Sequence, residues 1–575
     1  IPEGSKVFVA GDLFWRNIQQ KVDATRLVPK ERWAGPFKWV GSDTLEADKA
    51  YSKRACLIDG FEFDPSGYQI HEDLLMGMDP LVQWVLDASK TAMAQVDIRP
   101  VDKRRMGVIL AAIALPTELS STISREILGH HLFRRHDPMD ASSTLSPAKA
   151  LSGRVVAMPA SMVSLGLGLG EVSYTLDAAC ASSLYSIKLA CDLLHARRTD
   201  AMIAGGVSRP DCLYTQIGFS QLRALSPSGR CAPFDQSADG LVVGEGAGIL
   251  VLKRLEDAVT HGDTIYGVIR GIGLSNDMRG NLLAPESDGQ LRAMRTAYRQ
   301  PGWQPQDVEF IECHGTGTPV GDATELESLR RLWGDKGWET GQCAIGSVKS
   351  MIGHLLTAAG AAGIIKTLLA LAHKTLPPSL KFEQPDPNSR LIDSPFRVQT
   401  DAAPWPRRAP GTPRRAAVSA FGFGGINAHV LIEEWQPNDS QTARSAAVEV
   451  KETPWIPKSE PIAIVGMDLH LGTLASVEEF REAVFNGRPM VGPVPEDRWK
   501  APAFVRRHFK GRPAGNYIDH ISIEQGEFQI PPGEIPDILP QQLLMLQTAA
   551  GALNDAGLPL RQGRERMGAV IGIGF

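Results

Sequence analysis

A cysteine, two histidines, a lysine and a glycine-dense turn are the parts of this 575-residue sequence that could do chemistry together. Cys180 lies in SYTLDAACASSLYSIKLACDLL, residues 173–194. Val172, Tyr174 and Leu176 alternate with Ser173, Thr175 and Asp177 as on a half-buried strand. From Ala181 onward Leu184, Ile187, Ala190, Cys191 and Leu194 recur at helical spacing. The pattern predicts Cys180 in the first turn of a buried helix, where unsatisfied amides and the positive end of the helix dipole favour a thiolate. A nucleophilic thiol there suits acyl-thioester chemistry. A lone cysteine in an apolar helix is ordinarily a small core residue, so the reading depends on the residues downstream of it.

His314 comes at the end of the apolar strand Val308–Cys313 and opens HGTGTPVGDATE, which runs to Glu325. Gly315 and Gly317 let backbone approach a ligand closely, and the hydroxyls of Thr316 and Thr318 can hydrogen-bond it. His354 ends GSVKSMIGH, residues 346–354, at the mouth of an alanine- and glycine-rich helix, with Lys349 five residues before it. A lysine in a segment that otherwise reads as buried needs a carboxylate, for which Glu325 and Asp322 are the candidates. The turn SAFGFGGINAH, residues 419–429, can present backbone N–H groups as an oxyanion hole. Taken singly, each has an ordinary alternative: a core histidine, a surface lysine near a helix cap, a structural glycine turn.

The elements that must position these groups alternate. Strands are predicted at 201–207, 246–253 and 307–313, and helices at 288–299, 320–333 and 353–372. That is an α/β pattern with largely buried sheets. With 43% hydrophobic and 22% charged residues the chain is globular, and at about 150 residues per domain it holds more than one core. A net charge of −5 leaves no footprint for nucleic acid, and no basic run suggests a membrane surface. The most apolar stretch, Leu356 to Leu371, is interrupted by Lys366 and reads as a buried helix rather than a span. Met158, Met162, Leu165 and Leu167 read as core before tunnel or dimer surface. Seven cysteines without a CxxC pair argue against a zinc site and a disulfide framework, and point to a reducing cytoplasm.

The sequence also repeats at long range. VPKERW ends at Trp33 and VPEDRW at Trp499, 466 residues apart; Ile58-Asp59 matches Ile518-Asp519 and Pro80 matches Pro540 at 460; Met106 matches Met567 at 461. The expected organisation is one unit over 1–435, a polar linker over 436–460 in which Trp455 and Ile456 could dock on a domain surface, and the start of a second unit over 461–575. That second unit opens with an apolar strand at 461–467. The offset puts the first unit's own opening strand before Ile1, and no methionine begins the chain, so both ends read as clipped.

In order, DAACASS, HGTGTPVGD, SVKSMIGH and FGFGGINAH resemble the active-site motifs of the β-ketoacyl synthase family of the thiolase superfamily, in the style of multidomain polyunsaturated fatty acid and polyketide synthases. The resemblance spans residues 1 to 435, and 461 to 575 are similar to the start of another copy. It implies a thiolase-like fold of five layers, α-β-α-β-α, usually dimeric. It implies a decarboxylative Claisen condensation. Cys180 would hold the acyl chain, and His314 and His354 would stabilise the enolate formed from a malonyl extender. Lys349, with Glu325, would orient the histidines. The backbone N–H groups of Cys180 and Phe423 would hold the oxyanion, with the Phe423 ring gating the acyl tunnel, and Thr316 and Thr318 would contact the pantetheine arm of an acyl carrier protein. No metal or redox cofactor is implied, since the phosphopantetheine belongs to the carrier. Two departures stand out: Leu355-Leu356-Thr357 where many relatives carry a more polar pair, and Ile426 where threonine is usual before Asn427.

A synthase unit followed by a similar unit resembles the ketosynthase and chain-length-factor pair of polyunsaturated fatty acid synthases. The rival class is a non-elongating scaffold of the chain-length-factor kind, which typically lacks the cysteine. Relatives acting on coenzyme A esters usually pair one histidine with a cysteine or asparagine. The expected partners are therefore an acyl carrier protein and either a second copy or a chain-length-factor-like unit, with no nucleic acid or membrane, in the cytoplasm.

Overall fold

The computed structural model describes residues 11–33, 36–98, 100–122, 158–278, 284–436, 461–495, 498, 514–524, 526–528, 530–564 and 566–574. The expected linker beyond Gln436, with Trp455 and Ile456, lies outside the described residues. By its contacts the chain divides into two units, Ile1–Trp455 with Ile573–Phe575, and Ile456–Gly572.

The first unit is built on two sheets of like topology. One holds β1 (Met106–Ala112), β2 (Ser173–Leu176), β3 (Ala201–Ser208) and β4 (Gly246–Leu252) in the order β2-β1-β3-β4. The first three run parallel and β4 antiparallel. The other holds β5 (Val268–Asn276), β6 (Phe310–Glu312), β7 (Cys343–Gly346), β8 (Phe396–Val398), β9 (Arg415–Gly422) and β10 (Ile426–Glu433) in the order β8-β7-β6-β9-β10-β5. Its run β7-β6-β9-β10 repeats the first sheet strand for strand, two parallel pairings followed by an antiparallel one. Where β10 is flanked by β9 and β5, β4 has only β3 beside it among the described residues.

Helices α1 (Pro80–Met93) and α2 (Met158–Leu167) cover the outer face of the first sheet. The central layer is α3 (Ser182–His195), packed on β1 and β3, and α6 (Ala359–His373), packed on β9, β4 and α3. Outside the second sheet lie α4 (Ser287–Arg299) and α5 (Pro319–Trp333). The result is the five-layered α-β-α-β-α arrangement. Every residue of β1 and β3 is buried, as parallel strands covered on both faces require. Polar ties hold this layer as well: the Ser183 hydroxyl of α3 accepts the Ala361 N–H of α6 at 2.9 Å, and the Ser186 hydroxyl of α3 donates to the Ile109 carbonyl of β1 at 2.7 Å. The apolar stretch Leu356–His373 is mostly buried in this layer. Met158, Met162 and Leu167 belong to the core beneath β1, whereas Leu165 is 62% exposed.

Two expected elements differ. The helix predicted from 353 begins as α-helix only at Ala359, because Gly353 and Leu356 take left-handed φ values of 69° and 46° and break the run into a short helix, a bridge and a 3₁₀ turn. The strand predicted at 307–313 contracts to Phe310–Glu312 behind a 3₁₀ turn at Pro305–Asp307.

The second unit carries α7 (Val477–Phe485), capped by the Ser476 hydroxyl accepting the Glu479 N–H at 3.2 Å, and α8 (Pro540–Asp555). The opening strand expected at 461–467 is not formed. The segment pairs with no strand among the described residues, leaving Ile462 92%, Ile464 89% and Val465 71% exposed. Apolar alternation makes a strand only where a neighbouring strand takes up its backbone N–H and C=O groups.

Candidate active site

Cys180 occupies the corner between β2 and α3. The expected position, the helix's first turn, is revised: α3 begins at Ser182, and Cys180 sits two residues ahead of it. Ala179 takes a left-handed φ of 49°, a conformation costly for any residue with a Cβ, which turns the chain sharply enough to present the next side chain. Local bonds hold the turn. The Ala179 N–H donates to Asp177 Oδ1 at 2.9 Å, and Ser182 Oγ accepts the Ala178 N–H at 2.7 Å. Gly422 must lack a side chain here, because a Cβ would stand 2.8 Å from Ala179 Cβ and 3.0 Å from the Cys180 nitrogen.

Burial pushes the Cys180 thiol up to about 12; the Lys349 charge and the amides of Phe423 and Cys180 act in the opposite direction without overcoming it. The resting thiol is therefore protonated, contrary to the thiolate expected from the helix dipole alone. The two amides expected as oxyanion donors, those of Cys180 and Phe423, are the backbone groups that act to lower the thiol.

His314 lies two residues past the end of β6. Its backbone N–H and that of Gly315 donate to the two oxygens of Glu325, each at 2.8 Å, while Asp322 accepts from Phe234 at 2.7 Å, Thr316 at 3.1 Å and Gly317 at 3.2 Å. These carboxylates, on the first turns of α5, fold the HGTGT loop by its backbone. Burial raises both to about 7. Lys349 is 4% exposed and forms no ion pair within 4.0 Å with Glu325 or Asp322 among the described residues. The direct pairing read from sequence is thus absent, since both carboxylates are taken up by backbone amides.

His354 lies in a bridge with Val243: its N–H donates to the Val242 carbonyl at 2.7 Å, and its carbonyl accepts the Gly244 N–H at 2.9 Å. The two imidazoles meet edge to face, centroids 5.3 Å apart at 84°. Burial, then the Lys349 charge, holds both well below the ordinary histidine range, so both are neutral at rest. Nδ1 of His314 and both ring nitrogens of His354 are buried without a hydrogen-bond partner. Buried polar atoms are ordinarily hydrogen-bonded, so these nitrogens are placed to hydrogen-bond a group entering the site.

A cavity of about 350 Å³ brings the parts together: Cys180, His314, His354, Thr316, Thr318 and Phe423 all line it, with Phe421 and Gln290. The Thr316 and Thr318 hydroxyls lie 2.9 Å apart. The Phe423 ring packs against Phe219, centroids 6.1 Å apart. Lys349 acts on this cluster through its charge on Cys180 and both histidines. Sequence reasoning passed over Ala179, which leaves no signal in residue type, and the Val243 bridge. It also passed over a buried ion pair between Glu312 and Lys366, whose signal was a charge inside an apolar strand facing another inside an apolar helix.

Family models agree with this geometry. The N-terminal domain of β-ketoacyl synthases matches residues 2–258 and again 459–575, the C-terminal domain matches 266–383, and a ketoacyl-synthetase C-terminal extension matches 385–458. Among solved structures, a "PfaC Keto synthase-Chain length factor" is 34% identical with a TM-score of 0.82, covering 96% of this chain and 59% of that one. The ketosynthase from module 6 of the bacillaene synthase of Bacillus subtilis is 34% identical with a TM-score of 0.63, covering 74% and 70%. A polyunsaturated fatty acid synthase subunit of a Thraustochytrium species is 34% identical over 82% of this chain and 23% of its own length. A phenolphthiocerol/phthiocerol polyketide synthase subunit of Mycobacterium tuberculosis is 38% identical over 73% and 26%. The chain thus spans about a quarter of the length of these two curated relatives. On these matches, and with a cysteine, two neutral histidines and two amides around one cavity, the chain belongs to the β-ketoacyl synthase family.

Proposed function

We propose that the first unit, over 1–435, condenses a Cys180-bound acyl chain with a malonyl group on an acyl carrier protein, with loss of carbon dioxide, to give the β-ketoacyl carrier thioester. The observation that carries this is the pair of neutral imidazoles whose unpartnered nitrogens share a cavity with the thiol.

In the first half-reaction the Cys180 sulfur attacks the carrier thioester and the thiol proton ends on the departing pantetheine sulfur. The oxyanion on the attacked carbon is held by the amides of Cys180 and Phe423; one such donor is worth about 10²–10³ in rate. In the second, the malonyl carbon–carboxylate bond breaks. Its electron pair becomes an enolate whose oxygen accepts hydrogen bonds from His314 and His354, and the enolate carbon attacks the Cys180 thioester, releasing the sulfur. Neutral imidazoles suit this role, since each keeps an N–H to donate. Lys349 steadies the negative charge on sulfur, and Thr316 and Thr318 hold the pantetheine arm. Decarboxylation drives the step, so the reaction needs no metal or redox group of its own.

On the same reading, 436–460 is a linker and 461–575 begins a chain-length-factor-like unit, and the working partners are an acyl carrier protein and a paired synthase-like unit in the cytoplasm. Intact-protein mass after incubation with an acyl carrier thioester tests the proposal. Wild type should gain the acyl mass, Cys180→Ala should not, and malonyl carrier protein should then yield the elongated product. Failure of folded wild type to acylate would favour the non-elongating scaffold.

A further inference from the structure

Glu312 and Lys366 form the most deeply buried ion pair among the described residues, 2% and 0% exposed, with Lys366 Nζ 2.7 Å from Glu312 Oε2. Such a pair recovers its desolvation cost only if the remaining oxygens are also satisfied. Here the other oxygen is put to a definite use: Glu312 Oε1 accepts the backbone N–H of Val348 at 2.6 Å. Glu312 ends β6, two residues before His314, and Val348 is the residue before Lys349 and six before His354. Lys366 projects from α6, the central helix that comes after His354. One carboxylate therefore ties together the two histidine-bearing segments and the helix behind them. The helix is shaped to admit it: a Cβ at Gly363 would stand 3.0 Å from Glu312 Cγ.

We propose that Glu312 and Lys366 are positioning residues for Lys349 and the histidine pair: Glu312 pins the Val348 amide, and Lys366 holds the Glu312 carboxylate in place through its other oxygen. This rests on the condensing role proposed for the cavity. The groups that face Lys349 are Glu312, Glu325 and the thiols of Cys231 and Cys180, with His314 and His354 feeling its charge in turn. Burial works against the Lys349 charge, and Glu312, ahead of Glu325, works for it. Neither Glu312 nor Lys366 lines the cavity.

Two variants of the full chain separate positioning from mere stability. Val348→Pro deletes the donated N–H while keeping the ion pair, and the native φ of −62° already suits proline. The expected result is a kcat at least tenfold lower with KM for the malonyl carrier within twofold; unchanged kcat in the folded variant overturns the pinning role. The double variant Glu312→Gln/Lys366→Met removes both buried charges at nearly constant volume. Iodoacetamide alkylation of Cys180, followed by peptide mass against pH, should slow at least fivefold at pH 8 while the far-ultraviolet spectrum stays native. The single variant Lys366→Arg, which keeps a cation on Glu312, should alkylate at the wild-type rate. Native alkylation in the double variant overturns the electrostatic role, and if that variant does not fold, Val348→Pro still decides. Alkylation needs no carrier substrate, so a chain that alkylates as expected but never condenses would refute the condensing role and leave the electrostatic one standing.

Discussion

The corner that carries Cys180 and the two segments that carry the histidines are held in place by different forces. Around Cys180 the fixing is steric and local: a left-handed Ala179, backbone N–H groups of Ala179 and Ala178 donated to Asp177 and Ser182, and a glycine at 422 with no room for a methyl group. Around His314 and His354 it is ionic and long-range. Asp322, Glu325 and Glu312 hold backbone amides, and Lys366 and Lys349 supply the balancing charge. A steric corner fails when volume is added and is indifferent to charge. An ionic cradle tolerates shape better and responds to pH and to the loss of any one charge.

The sharpest way to break the comparison is volume at the corner. Gly422→Ala should lower the rate of Cys180 acylation by about 10²-fold, because the corner must shift by several tenths of an ångström and misplacement on that scale costs rates of this order; single-turnover acyl-enzyme mass would measure it. If Gly422→Ala acylates normally, the corner is not steric. On the ionic side, Glu325→Ala leaves the His314 and Gly315 amides unpaired and should cost about 2–3 kcal/mol of stability, read as a fall in Tm.

Acid should distinguish the two regions further. His314 and His354 have folded pKa values below the ordinary 6.5, so the stability they lend is present above that pH and is lost as pH falls. Asp322 and Glu325, raised to about 7, act oppositely, favouring the fold below about pH 4 and losing that contribution as pH rises through 7. The variant His314→Asn/His354→Asn should therefore lose less Tm than wild type between pH 7 and pH 5, whereas Gly422→Ala should track wild type. The Cys180 thiol, pushed up to about 12, should alkylate about tenfold faster per pH unit from 7 to 10 with no plateau. The smallest effect is expected at the cavity wall: Thr318→Val should raise KM for a carrier-bound substrate about two- to tenfold with kcat nearly unchanged, the loss of one hydrogen bond.

Much of the cradle was legible in residue types. His314, His354, Thr316, Thr318 and the glycine turn sit in short motifs whose chemistry is local, and all of them line the cavity beside Cys180. The alternation of strands and helices gave the α/β class, since periodicity reports burial directly. What failed was whatever depended on a distant neighbour. The strand expected at 461–467 has the right alternation but no partner among the described residues. The thiolate expected from the helix dipole is overruled by burial, which a sequence does not display. The pairing of Lys349 with Glu325 or Asp322 was argued from charge balance, but those carboxylates bind amides in the HGTGT loop.

The sequence by itself determined which side chains are available and the alternation of strands and helices that bear them, because apolar spacing reports burial within a few residues. The tertiary structure decided their protonation and their partners. Desolvation depends on what packs around a group from elsewhere in the chain; the folding of the second sheet against α6 places Lys366 on Glu312, and the approach of the segment ahead of β4 places Val243 beside His354.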